Sequence, residues 1–214
     1  MNQLIVAFLV VLLIILILIA GIKIKWRVKR EIDPSGKKRY LGSLSPEQLA
    51  KNAPNIVILF TDDLGFADIS CYGAKVIQTP VIDKLAANGM KFSNFYSSSA
   101  VCSPSRAGLL TGRYPPRTHV PSVFFPKGSF ANWWFKLTRY SYGMQGLAPD
   151  EIILPEILQK VGYTTGMLGK WHLGDREGHL PNNFGFDYFY GALYSNDMKH
   201  YELWENKNID VKHP

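Results

Sequence analysis

The chain has 214 residues, 47% of them hydrophobic and 19% charged, which excludes a disordered chain and suits one globular domain with a short appendage. Its two cysteines, Cys71 and Cys102, exclude a disulfide-stapled miniprotein and a cysteine zinc site. The net charge of +7 sits in one segment, where Lys23, Lys25, Arg27, Lys29, Arg30, Lys37, Lys38 and Arg39 outnumber Glu31 and Asp33; the remainder is near neutral, so no nucleic-acid partner is implied.

The first predicted element is a membrane segment. Leu4–Ile22 is an apolar run without charge or proline, and at about 1.5 Å per residue it approaches the ~30 Å hydrocarbon core of a bilayer. A cleaved signal peptide is the rival reading. The start Met-Asn-Gln is not basic, however, and Leu18-Ile19-Ala20 places a large residue where a small one is preferred. The run is therefore read as an uncleaved single-pass anchor, with Trp26 at the interface. Taken alone, the basic residues after it would keep the C-terminal globular part in the cytosol. Residues 25–53 read as a basic linker, with Asp33-Pro34-Ser35-Gly36 as a turn and Ser45-Pro46-Glu47-Gln48 opening a short helix.

Ile56-Val57-Ile58-Leu59-Phe60 reads as a buried parallel strand ending at Thr61-Asp62-Asp63. Thr79 as N-cap, Pro80 in the first turn and Gly89 at the end predict a helix. A second strand is predicted over Met90–Tyr96, a second helix over Pro155–Val161 closed by Gly162, and a short strand over Tyr163–Leu168. Strand, helix, strand, repeated, predicts a mainly parallel α/β sheet, in which ligands gather at the carboxyl ends of the strands. Asp62-Asp63 lies at one such end and Gly169-Lys170-Trp171-His172 at another.

Asp62-Asp63 has two readings, a solvated turn or a hard-cation site of carboxylate oxygens. Cys102-Ser103-Pro104-Ser105-Arg106 lies in a polar loop, and Pro104 is expected to start a helix that Gly112 ends. Cys102 would then face the positive end of the helix dipole, with Arg106 adding a fixed positive fork. Cys71 lacks such company and reads as structural. His119 reads as surface or structural, and His179 and His200 as solvated. Phe124, Phe125, Phe130, Trp133, Trp134, Phe135, Tyr140 and Tyr142 are ascribed chiefly to core packing, with an apolar substrate wall or a membrane-touching loop as the minority reading.

Asn55–Gly65, the cysteine pentad, Leu110-Thr111-Gly112-Arg113 and Gly169-Lys170-Trp171-His172-Leu173-Gly174 together resemble the sulfatase family, over about Pro54 to Asn196. The resemblance implies an α/β sandwich like that of alkaline phosphatase, incomplete at its C-terminus here and preceded by one transmembrane helix. Its expected divisions are an anchor at 1–24, the linker at 25–53 and the N-terminal part of a sulfatase catalytic domain at 54–214. It further implies that Cys102 is oxidised by a formylglycine-generating enzyme to formylglycine, whose hydrate attacks a sulfate ester. Asp62 and Asp63 match the first ligands of a divalent cation, Ca2+ or alternatively Mg2+, which also touches residue 102. Arg106 matches the arginine that steadies the formylglycine. Lys170 and His172 match the lysine and histidine that hold the sulfate oxygens and the hydrated aldehyde, and Ser195 a serine further along in arylsulfatases.

An Asp-Asn pair and a further lysine and histidine, which the family places well downstream, have no counterpart before Pro214, so the sequence is expected to be the N-terminal part of a longer sulfatase. Two other functions compete. One is a catalytically inactive, membrane-anchored binding protein. The other is a phosphatase or phosphodiesterase of the same superfamily, disfavoured because those use Ser or Thr where this chain has Cys102. Because formylglycine is made in the secretory pathway or in exported enzymes of the family, and long domains translocate despite flanking charge, the domain is expected on the lumenal or extracytoplasmic side.

Overall fold

A computed structural model of the chain describes residues 3–25, 32–49, 51–133, 146–198 and 201–212. Trp26, Arg27, Lys29, Arg30, Trp134, Phe135, Tyr140, Tyr142 and His200 lie outside them. The chain divides into two units, Ala50–Ser97, and Met1–Leu49 with Ser98–Pro214.

The larger unit opens with α1 (Gln3–Lys25), a continuous helix that exposes Ile5, Phe8, Leu9 and the following aliphatic residues to Ile19. Among the described residues no helix is long and apolar enough to cross a membrane, so the fold does not establish the expected anchor. The predicted turn at 33–36 is instead the start of α2 (Pro34–Gly42). Asp33 is its N-cap, accepting from the Ser35 N–H at 2.9 Å, and Pro34 fills the first turn. The same residue types serve a turn or a cap, and the helix wins because Asp satisfies an orphan amide while Pro needs none. The short helix expected after Ser45 is a 3-10 turn, Pro46–Gln48, with Gln48 Oε1 accepting from the Ser45 N–H at 2.9 Å.

Helix α2 is fastened to the rest of this unit through Lys37. Its ammonium donates to the carbonyls of Pro149 (3.0 Å) and Glu151 (2.8 Å) and pairs with Glu156 Oε1 at 2.5 Å. It also stands 5.3 Å over the Phe184 ring. Helix α4 spans Cys102–Thr111 and α5 spans Leu154–Lys160, the latter close to the expected position. Glu156 caps α5 by accepting from the Ile153 N–H at 3.1 Å.

Four strands form one sheet in the order β1 (Gly166–Leu168), β2 (Tyr188–Ala192), β3 (Glu202–Glu205) and β4 (Asn208–Lys212). Only β1 and β2 are parallel, with Met167 opposite Phe189; β2–β3 and β3–β4 are antiparallel. The sheet is therefore mixed rather than mainly parallel as expected. Of its strands, β1 alone matches a predicted one. The core packs Trp171, Phe184, Phe189, Leu147, Ile153 and Leu173 together, each large side chain contributing roughly 1.5–3 kcal/mol by leaving water. Trp171 is fully buried yet satisfied, its Nε1–H donating to the His179 carbonyl at 2.8 Å.

Asp187 pins the entry to β1. It accepts from the Thr165 N–H at 2.8 Å, from Gln159 Nε2 at 2.6 Å and from the Thr165 hydroxyl at 3.0 Å. The Thr165 amide and then Gln159 hold this carboxyl below the usual carboxylate range. Its stabilisation is complete above the unfolded value of about 3.9 and is lost as pH falls through the lower folded value. Asp187→Asn is expected to flatten the acid limb of the unfolding midpoint plotted against pH, below about pH 4. Superimposable limbs for parent and variant would refute this.

The smaller unit holds α3 (Pro80–Asn88), as predicted from Thr79, Pro80 and Gly89. Thr79 and Ser70 bond reciprocally, Ser70 N–H to Thr79 Oγ1 at 3.0 Å and Thr79 N–H to Ser70 Oγ at 2.6 Å. The two predicted strands are not formed here. Ile56–Phe60 and 90–96 hold no assigned strand, and the apolar side chains of both are exposed. An apolar run signals a tendency to be buried but supplies no neighbouring edge, and none of the described residues in this unit is buried.

Candidate active site

Cys102 is the first residue of α4, where Pro104 was expected to start the helix; the extended residue before it is Val101 (φ −132°, ψ 156°). Proline lacks an N–H and so costs nothing within the first turn, which lets the helix begin two residues earlier than its proline. Gly112 ends it in the left-handed conformation (φ 64°), its N–H bonding the Gly108 carbonyl at 2.9 Å. Ser103, Pro104, Ala107 and Gly108 form the buried face, leaving Cys102 and Arg106 half-buried, one turn apart and on one side.

The partner of that side comes from beyond β1. Gly169 N–H bonds the Tyr190 carbonyl (2.9 Å), Trp171 N–H that of Ala192 (2.9 Å) and His172 N–H that of Leu193 (3.0 Å), so the Gly-Lys-Trp-His block runs beside β2 past the end of the ladder. Glycine is required at Gly191, where φ is 155° and a Cβ would stand 2.0 Å from the Gly169 carbonyl oxygen. This places Lys170 over the start of α4. Its Nζ donates to Cys102 Sγ at 3.4 Å, while Arg106 Nη1 donates to the Lys170 carbonyl. Residue 102 thus meets two positive sources, an ammonium and the first turn of a helix, and Arg106 fixes the backbone that carries the ammonium.

His172 is fully buried with a left-handed backbone (φ 57°), a strained state that surrounding contacts must enforce. Its Nε2 lies 3.0 Å from the Phe124 carbonyl, and its ring meets that of Tyr194 edge-on at 5.3 Å. Burial, with Asp175 nearby, pushes the Tyr194 phenol well above its usual range. Ser195 follows Tyr194 in a turn closed by the Met198 N–H on the Ser195 carbonyl at 3.1 Å.

A family profile of the sulfatases matches residues 54–210. The chain belongs to the sulfatase family. This sulfatase is 46% identical over 148 residues to human arylsulfatase A and 43% identical over 169 residues to rat N-acetylgalactosamine-6-sulfatase. These alignments cover 68% and 76% of this chain but 26% and 29% of the relatives, so the chain spans about a quarter of their length. A Bacteroides thetaiotaomicron protein, solved in connection with the metabolism of multiple glycosaminoglycans, superposes with a TM-score of 0.60 at 36% identity, over 73% of this sulfatase and 32% of that chain. The fold is accordingly of the sulfatase, alkaline-phosphatase-like kind.

Of the expected site residues, the structure brings Cys102, Arg106 and Lys170 together and places His172 two residues on. Asp62 and Asp63 belong to the smaller unit, exposed in a bend where Asp63 is left-handed (φ 54°). Among the described residues no group of three or more His, Cys, Asp or Glu side chains is placed to hold a metal. Calcium takes about 6–8 oxygen ligands, and two carboxylates do not make that cage.

The readings of His179 and of the aromatic stretch need correction. His179 is half-buried rather than solvated, with Nδ1 at 2.9 Å from the Leu147 carbonyl; burial lowers its pKa against the opposing effect of that bond. His119 is half-buried and caps the Pro115–Thr118 turn with φ 57°. Phe124 and Phe125 are half-buried, but Phe130 and Trp133 form an exposed pair with ring centres 5.6 Å apart. Cys71 is half-buried, its carbonyl accepting from Lys91 Nζ at 2.9 Å.

Two supporting residues escaped the sequence reading. Glu151, almost fully buried, pairs with Arg113 Nη1 at 2.6 Å, which explains the arginine after Gly112. Phe124 acts through its carbonyl, which no side-chain pattern announces.

Proposed function

We propose that this sulfatase is a sulfuric ester hydrolase of arylsulfatase type, in which residue 102 carries the attacking group. The observation that carries the reading is the Lys170 ammonium at 3.4 Å from Cys102 Sγ at the first turn of α4. Cys102 is the position oxidised to formylglycine, and that residue, as its hydrate, supplies the nucleophilic hydroxyl. Sulfuryl transfer gathers negative charge on the non-bridging oxygens, and Lys170 with the α4 amides offers positive charge where it collects. Arg106 holds the Lys170 backbone, and His172, held through Nε2 by the Phe124 carbonyl, is assigned with Lys170 to the sulfate oxygens and the hydrated aldehyde. Asp62 and Asp63 are the residues assigned to the divalent cation, and Ser195 to the substrate side.

The reading extends to a linker at 25–53 and a domain on the lumenal or extracytoplasmic side that receives its formylglycine from a generating enzyme. Peptide mass spectrometry of the full-length protein, made in a host with that enzyme, is expected to find residue 102 as the aldehyde. An unmodified thiol throughout, beside a control sulfatase that is converted, would sink the assignment.

A further inference from the structure

We infer that Ser103 is a positioning residue for His172, acting through the backbone of Phe124. Ser103 is fully buried in the first turn of α4, and its Oγ accepts from the Phe124 N–H at 3.0 Å. The carbonyl of the same residue lies 3.0 Å from His172 Nε2. A carbonyl only accepts, so Nε2 carries the hydrogen and donates, which leaves Nδ1 as the basic nitrogen of the neutral ring.

One residue thus joins the turn that holds Cys102 to the imidazole, and the hydroxyl next to Cys102 in the chain sets where that residue sits. The bonds on either side of Phe124 are comparable in length and both buried at one end, so slack in the first passes to the second. The His172 backbone is committed to the Leu193 carbonyl and its ring face to Tyr194, and its Nε2 to the Phe124 carbonyl. The bland account is that Ser103 merely satisfies a buried amide. The two differ in where the damage appears when the hydroxyl is removed, since an unsatisfied amide loosens the local packing generally, while a positioning role frees the His172 ring selectively.

The inference rests on the hydrolase reading only for its kinetic arm. In the full-length protein, carbethoxylation of individual histidines by diethyl pyrocarbonate at neutral pH is followed by peptide mass spectrometry. Ser103→Ala is expected to raise the labelling rate of His172 by about tenfold, with His119 and His179 unchanged, because loss of one buried bond makes local opening more frequent. Ser103→Thr, which keeps the hydroxyl, returns the rate to that of the parent. On a generic aryl sulfate, Ser103→Ala lowers kcat by about tenfold and leaves KM in place, as expected for a group that orients rather than binds. Ser103→Cys, similar in volume and a weaker acceptor, repeats the comparison if the alanine variant does not fold. Labelling of His172 that does not rise, that rises equally at His119 and His179, or that rises equally in the threonine variant overturns the inference. If the labelling pattern holds but the parent lacks activity, the hydrolase reading fails and the positioning role stands.

Discussion

Lys170→Ala is expected to lower turnover of the full-length enzyme on a generic aryl sulfate by about 10²–10³-fold, the typical cost of losing one donor aimed at developing charge. The ammonium reaches residue 102 from a segment fixed on both flanks, by Gly169 N–H on the Tyr190 carbonyl and Trp171 N–H on that of Ala192. Truncating the side chain leaves those backbone bonds intact, so the loss should fall on kcat with the melting temperature nearly unchanged. Lys170→Arg is expected to recover only part of the rate, because a planar fork replaces a compact point charge. A kcat equal to that of the parent in the alanine variant would remove Lys170 from the chemistry.

The largest effect on stability is expected at Lys37. Its side chain is 12% exposed and that of Glu156 is 10%, so the pair is nearly dry. Lys37→Met keeps the stem that covers Phe184 but strands the Glu156 carboxylate and the carbonyls of Pro149 and Glu151. Breaking a buried pair from one side costs about 3–5 kcal/mol. Adding Glu156→Gln should restore part of the loss, since the stranded charge is then gone while Gln still accepts from the Ile153 N–H; coupled neighbours typically show about 0.5–3 kcal/mol of interaction. Urea denaturation of the parent, the two single variants and the double variant measures both quantities. A Lys37→Met change within about 0.5 kcal/mol of the parent, the range of an ordinary surface substitution, would show that the ammonium is not holding α2 in place.

Local chemistry carried much of this protein in plain view. Thr79, Pro80 and Gly89 delimit α3 and Pro155 with Gly162 brackets α5, because caps and breakers act within a few residues. The family is legible for the same reason, in short blocks around Asp62, Cys102 and Lys170. Cys102 and Arg106 share one side of α4 because positions four apart share a face, but only the structure carries the helix back to Cys102, two residues before the proline expected to start it.

The tertiary structure decided whatever depends on a partner distant in sequence. Lys170 reaches Cys102 across 68 positions, and Lys37 reaches Glu151 across 114; no spacing rule links such pairs, because the chain between them sets their meeting. The mixed sheet was hidden likewise. β3 and β4 carry Glu202, Glu205, Asn208 and Asp210 and lack the apolar run that marks a buried strand, yet they form because each finds a hydrogen-bonding edge beside it. Ile56–Phe60 shows the converse, an apolar run with the composition of a strand whose side chains stay exposed within its unit. Side-chain pattern fixes what a segment would bury, whereas backbone pairing and buried charge need a second segment, and only the folded chain supplies it.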